Sequence, residues 1–185
     1  MFNTTLIICA SEKYRLMLRG IFKNLGADAV FAHANTTTSL SVLDLLTNDT
    51  DPDGGTLALT AVTPGTNTAA VVLAANTVLY TPMAGFAGNS AFTYLLSDGQ
   101  GGQATGAVSV VVVQPEITAW ALLPGDLFRL EFQGLPNTAY RLQASTNLTT
   151  WFERSTNSTA GDGHLQYDDV TTPTSAIRFY RFVWP

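Results

Sequence analysis

From Phe31 onward, apolar and polar residues alternate with a period of two, which sends successive side chains to opposite faces of a strand. Leu40 and Val42 alternate with Ser39 and Ser41, Leu57 and Leu59 with Ala58 and Thr60, and Val108, Val110 and Val112 with Ala107, Ser109 and Val111. Phe92, Tyr94 and Leu96 share one face of a further strand. Turn formers separate these runs: Asp51-Pro52-Asp53-Gly54-Gly55, Pro64-Gly65, Ala84-Gly85, and Asp98-Gly99 followed by Gly101-Gly102. The pattern predicts strands near 31–36, 38–46, 56–63, 68–74, 77–81, 90–97 and 104–113 with no helical interval, which is the signature of a sandwich. After Gln114-Pro115-Glu116 the alternation restarts. Phe128, Leu130 and Phe132 oppose Arg129 and Glu131, and Tyr140, Leu142 and Ala144 oppose Arg141, Gln143 and Ser145. Leu165 and Tyr167 follow, then a stretch from Ile177 to Trp184 with apolar residues on both faces.

The fold class is therefore all-β, with two sandwiches in tandem over 31–113 and 117–185, a linker at 114–116, and a leader at 1–30. In the leader, Ser11 opens a short amphipathic helix in which Tyr14, Leu18, Ile21, Phe22 and Leu25 recur at helical spacing before Gly26. Ala32-His33-Ala34 has the form of a signal-peptidase site, but the preceding residues carry several charges and lack a continuous apolar core, so no export signal is read here.

Composition narrows the function classes. Charged residues are 12% and the net charge is −5; phosphate-backbone binding needs clustered Lys and Arg, so nucleic acid is not an expected partner. The single cysteine, Cys9, removes multi-cysteine zinc motifs and internal disulfides. No apolar run approaches the roughly 18 residues that span a bilayer. The charges also divide the chain: Lys13, Arg15, Arg19 and Lys23 precede a gap that lasts until Arg129. Between His33 and Val113 the only acids are Asp44, Asp49, Asp51, Asp53 and Asp98, with no base among them. Such a segment repels itself unless its carboxylates are separated, solvated or neutralised by a cation.

Several motifs in this acidic stretch point to a family. Leu45-Leu46-Thr47-Asn48-Asp49-Thr50-Asp51-Pro52-Asp53-Gly54-Gly55-Thr56-Leu57, then Leu79-Tyr80-Thr81-Pro82, Gly85-Phe86-Ala87-Gly88, and Phe92-Thr93-Tyr94 with Ser97-Asp98-Gly99-Gln100-Gly101-Gly102 closely resemble the bacterial cadherin-like tandem-repeat domains. The resemblance implies an immunoglobulin-like sandwich of a secreted or surface-attached protein, with an adhesive or spacer role. The family occurs in long arrays, whereas this chain holds one copy. In the second unit, Tyr140 to Trp151, with Asp168 and Arg178-Phe179-Tyr180-Arg181, resembles a module found at the C-terminus of large secreted bacterial proteins, and a fibronectin type III-like fold is expected.

The acidic loop has a chemistry of its own. Asp49, Asp51 and Asp53 at alternate positions, with Asn48 beside them, can direct several oxygens inward, and calcium takes about six to eight oxygen ligands in irregular geometry. The competing reading is a turn in which Asp and Asn accept nearby amides. Strand parity puts loops 47–55 and 98–103 at the same end, so Asp98 is a candidate fifth member of the calcium set.

In the second unit, Trp120, Trp151, Tyr167, Tyr180 and Trp184 would suit a sugar-stacking platform, although aromatics in a small sandwich more often form its core. Trp151 in particular is expected to anchor the second core. Arg178 and Arg181 beside Asp168 and Asp169 read either as an anion site or as internal ion pairs. Ser158, Asp162 and His164 supply the letters of a catalytic triad, but His164 lies in an evident turn. The sequence thus reads as a noncatalytic adhesion or spacer module, extracellular or at the cell surface, stabilised by calcium, whose partners are neighbouring repeats or a surface or matrix ligand. A carbohydrate-binding module appended to a secreted enzyme, with a glycan as its partner, is the alternative.

Overall fold

A computed structural model describes residues 28–52, 54–125, 127–170 and 178–184. The leader helix and Asp53 lie outside the described residues. The chain divides into two compact units, the first comprising Met1–Val30, Asn35–Ala84 and Asn89–Val111, the second Phe31–Ala34, Gly85–Gly88 and Val112–Pro185.

The first seven strands are β1 (Asp28–His33), β2 (Thr38–Ser41), β3 (Ala58–Pro64), β4 (Thr68–Ala74), β5 (Thr77–Pro82), β6 (Gly88–Ser97) and β7 (Gln103–Val113). They form two sheets, ordered β1-β7-β6-β3 and β2-β5-β4. Alternation works as expected along β6 and β7: Phe92, Tyr94, Leu96, Val108, Val110 and Val112 are all buried. From the opposite sheet, Tyr80 of β5 stacks on Phe92 at 5.9 Å between ring centroids.

One expectation is corrected here: the predicted strand 38–46 stops at Ser41, and α1 (Val42–Leu46) takes its second half. Ser41 is the N-cap, its hydroxyl accepting from the Asp44 amide at 3.4 Å, and Thr47 closes the turn by donating to the Asp44 carbonyl through its hydroxyl at 2.7 Å. Period-two spacing breaks after Val42, and Ser41 followed three residues later by Asp44 is a capping signature that the alternation of Leu40 and Val42 obscured. The first strand also begins earlier than expected, at Asp28 rather than near residue 31.

The second unit carries β8 (Glu116–Leu123), β9 (Leu127–Gln133), β10 (Ala139–Ser145), β11 (Phe152–Ser158), β12 (His164–Asp169) and β13 (Phe179–Val183). Their sheets are ordered β12-β9-β8 and β11-β10-β13. Aromatic rings bridge the sheets. Phe132 of β9 meets Tyr140 of β10 edge-on at 4.7 Å and stacks on Phe182 of β13 at 4.1 Å, and Phe128 stacks on Tyr180 at 5.3 Å.

Tyr140 is fully buried, and its hydroxyl accepts from the Leu135 amide five residues upstream, in the manner of the tyrosine corner of immunoglobulin-like sandwiches. Its ring lies where Gly134 has no side chain: a Cβ there would sit 2.7 Å from the Tyr140 Cε2 and Cζ atoms and 2.8 Å from Phe132 Cε1. Gly134→Ala should therefore overpack the core and lower stability by about 1–3 kcal/mol. Gly161→Ala, whose Cβ would meet nothing within 4 Å, is the control and should leave stability close to wild type. Urea denaturation of the full chain checks both, and equal midpoints for the two variants would contradict the close fit at Gly134.

Candidate functional site

The acidic pole of the first unit is built where β1 begins, β6 ends and β7 starts. Tyr94 of β6 is fully buried. Its hydroxyl donates to Asp28 Oδ2 at 2.8 Å and lies 3.1 Å from Asp49 Oδ2. Both carboxylates are buried, and Asn48 Nδ2 donates to Asp28 Oδ1 at 3.0 Å, closing the cluster. Gly106 of β7 makes room for the tyrosine, since a Cβ there would overlap the Tyr94 ring. Burial, reinforced by the hydrogen bond and charge of Asp28 and then by Asp49, pushes the Tyr94 phenol far above its ordinary range.

The remaining candidate acids sit in the adjoining loops. Asp51 Oδ2 accepts from the Gly55 amide at 3.0 Å. Asp98 Oδ1 accepts from the Gln100 amide at 2.7 Å and the Gly102 amide at 2.9 Å, the Asx geometry of a tight turn. The two loops meet at Gly55, where a Cβ would lie 2.5 Å from Asp51 Oδ2 and 3.2 Å from Asp98 Cβ, so both belong to the same pole, as parity requires. Asn48 and Asp49 thus join Asp28 and Tyr94, while Asp51 and Asp98 accept amides of their own loops. Among the described residues, no group of three or more His, Cys, Asp or Glu side chains is gathered to hold a metal ion.

Asp28 is the member that the alternation pattern does not reveal, because the alternation places the start of the domain at residue 31. The signal was present: an acid standing immediately before the apolar Ala29-Val30-Phe31 run of the first strand.

The second unit assigns its polar residues to pairs. Arg129 binds Asp168 through two hydrogen bonds of 2.7 Å, and this contact holds the Asp168 carboxyl below its usual range. Arg178 Nη1 lies 2.5 Å from Asp169 Oδ2, which also accepts from the Tyr180 hydroxyl at 2.7 Å. Arg178 and Asp169 thus form an internal ion pair, whereas Asp168 goes to Arg129 and Arg181 lies over the Trp151 ring. Burial, together with the hydrogen bond to Asp169, pushes the Tyr180 phenol up to about 12.

The triad letters do not assemble. His164 Nε2 meets Glu131 at 2.7 Å, and Asp162 accepts from the His164 backbone amide instead of its ring. The other histidine, His33, is buried, which lowers its imidazole pKa.

Trp151 is not the expected core anchor. It is half-buried at the mouth of the 146–150 turn, where Leu148 adopts φ 63° and the indole N–H donates to the Leu148 carbonyl at 3.1 Å. The core positions belong instead to Leu130, Phe132, Tyr140, Leu142 and Ala144. Trp120 is 70% exposed at the sheet edge on β8 and stacks on Phe128 at 5.9 Å.

Raised phenol pKa values set the alkaline behaviour. Tyr94, Tyr140, Tyr167 and Tyr180 keep their protons in the folded state at pH values where an unfolded chain loses them, from 10.0 upward. Their contribution to stability is complete below pH 10 and is lost as pH rises from there towards the folded values. Phenolate absorbance should therefore show these four ionising above the ordinary tyrosine range. A single titration of all tyrosines near pH 10 with the fold intact would contradict the burial. Tyr94→Phe, which deprives Asp28 and Asp49 of their common donor, should cost about 1–3 kcal/mol in urea denaturation.

Residues 25–111 match the family model of the bacterial Ig domain. No curated protein matches the chain. Among solved structures, an endo-fucoidan hydrolase from glycoside hydrolase family 107 aligns at 18% identity and TM-score 0.33, over 69% of this chain and 19% of that one. The N-terminal Ig1-2 module of the Drosophila receptor protein tyrosine phosphatase DLAR aligns at 9% identity and TM-score 0.26, over 86% of each chain. The chain thus spans 19% of the hydrolase's length. The fold is an all-β, immunoglobulin-like sandwich, and for the first unit this rests on its paired sheets together with the similarity of residues 25–111 to the bacterial Ig domain.

Proposed function

We propose that the chain is a noncatalytic spacer or adhesion module of a larger bacterial surface or secreted protein, stabilised by calcium at the acidic pole of its first unit. The observation that carries the spacer reading is where the reactive side chains go. Asp51 and Asp98 accept loop amides, Asp168 and Asp169 bind arginines, His164 meets Glu131, and His33 is buried. Acid–base and nucleophilic chemistry require such groups to converge on a substrate position, and here they converge on backbone and on one another. The similarity of residues 25–111 to the bacterial Ig domain supports the same reading.

Calcium enters through electrostatics. Asp28 and Asp49 both approach the Tyr94 hydroxyl, which has a single proton to donate. Two buried carboxylates therefore gather at one hydroxyl, and the sequence holds no base between His33 and Val113. A divalent cation at this pole, drawn to Asn48, Asp49 and Asp28 with the adjoining loop acids Asp51 and Asp98, would offset that negative charge. Calcium tolerates the irregular oxygen geometry of such a loop cluster better than magnesium does. A neighbouring repeat, or a surface or matrix ligand, is the partner this reading assigns.

Extracellular calcium modules bind at about 0.1–1 mM. At the tight end of that range, about 1 mM calcium stabilises by roughly 1.4 kcal/mol. The expected outcome is a rise in melting temperature of several degrees relative to chelator, at roughly 4–8 °C per kcal/mol. The rise should be weak with magnesium and lost in Asp49→Asn. Superimposable melting curves for wild-type protein in calcium and in chelator would remove calcium from the account.

A further inference from the structure

The outer face of the sheet β11-β10-β13 carries two arginines that the ion pairs of this unit do not use. Tyr140, Leu142 and Ala144 of the central strand β10 are buried, so Arg141 and Gln143 take the opposite face. Register places Gln143 across from Arg181, and Arg141 across from Val183, on β13. Arg141 and Arg181 are therefore diagonal neighbours, a relation that brings Cα atoms to about 7–8 Å. Like charges at such positions repel. Among the described residues neither arginine is paired with an acid, because Asp168 and Asp169 go to Arg129 and Arg178. Glu153, across from Gln143 on β11, accepts from the Thr156 hydroxyl at 2.9 Å.

Arg181 is set in place by its neighbours. The Arg181 guanidinium lies 4.1 Å over the centroid of the Trp151 ring, and its Nε donates to Gln143 Oε1 at 2.9 Å, yet the residue is exposed. Arg141 Nε is buried and has no hydrogen-bond partner among the described residues. A buried, unsatisfied donor on a charged group is costly, and since Nε is shielded from solvent, an acceptor from outside the chain would engage the terminal nitrogens of the Arg141 guanidinium. The planar fork of guanidinium suits a carboxylate or sulfate, which it can bind through two parallel hydrogen bonds.

We propose that this face, centred on Arg141 and Arg181, binds an acidic polysaccharide, the guanidinium groups receiving its carboxylate or sulfate substituents. The surrounding chemistry selects this occupant over an acidic polypeptide. Protein partners depend on buried aromatic and aliphatic anchors seated in pockets, whereas this face is a sheet surface on which the Trp151 ring is covered by the Arg181 guanidinium and Gln143 and Thr156 are the polar neighbours of the two arginines. The inference stands apart from the spacer and calcium readings, since it uses the second unit alone.

The test is affinity electrophoresis of the full chain through gels containing polygalacturonate or dextran sulfate, with dextran as the neutral polymer and poly-L-glutamate as the acidic polypeptide. Wild-type protein should be retarded by at least one acidic polysaccharide and pass dextran freely, with retardation falling as salt is raised. Arg141→Gln combined with Arg181→Gln should weaken binding at least tenfold while keeping the wild-type melting curve. Should that double variant melt early, the exposed substitution Arg181→Glu decides, and it should abolish retardation. No retardation of wild type by either acidic polysaccharide, unchanged retardation in the folded variants, or equally strong retardation by poly-L-glutamate would each overturn the proposal.

Discussion

Among the described residues three phenol hydroxyls are fully buried, and a hydroxyl buried without a partner costs about 1–3 kcal/mol, enough to offset much of what its ring contributes in a small domain. Tyr80, Tyr94 and Tyr140 are each at most 1% exposed. Tyr80 donates to the Ser90 hydroxyl, which in turn donates to the Thr66 carbonyl at 2.7 Å, tying β5 to the start of β6 and to the β3–β4 turn. Tyr94 draws the first residue of β1 and the 48–49 loop to one point, and Tyr140 folds the β9–β10 connection back on itself. Two glycines complete the arrangement: Gly106 and Gly134 leave the volumes that the Tyr94 and Tyr140 rings occupy.

The same requirement explains what the polar residues do. A sandwich of short strands has many loop amides to satisfy, and in the first unit carboxylates satisfy them: Asp51 for Gly55, Asp98 for Gln100 and Gly102. In the second unit, where both signs of charge are present, acids pair with arginines instead, and the buried Asp169 meets both Arg178 and Tyr180. Side chains that could have formed a reactive centre are held in structural bonds, which suits a module that positions other domains or presents a surface. Two further arginines of this unit, Arg141 and Arg181, stand on the outer face of one sheet, where Arg181 is backed by Trp151 and Gln143.

Much of this was legible in the chain because period-two alternation is a strong signal wherever one face is buried. Strands β4 to β7 fall within two residues of their expected bounds, and the common pole of the 47–55 and 98–103 loops follows from strand parity. What alternation cannot see is a five-residue helix such as α1, too short to display its own period, or the leading edge of a strand such as β1, whose first residue is a buried acid. Asp28 gains its role only through Tyr94, 66 residues away, a contact that no local spacing encodes. Trp151 was misplaced for a related reason: turn geometry at Leu148, and not alternation, sets which way the indole goes.

The central claim is that the buried tyrosine hydroxyls organise the two cores. Proton NMR of the full chain in water tests it most directly, because a phenol proton held in a hydrogen bond away from solvent exchanges slowly enough to give its own resonance. The account predicts slowly exchanging hydroxyl resonances for Tyr80 and Tyr94, with the Tyr94 signal showing contacts to Gly106 and lost in Tyr94→Phe. Hydroxyl protons of both residues exchanging with water as fast as those of a free tyrosine, in a folded protein, would contradict it.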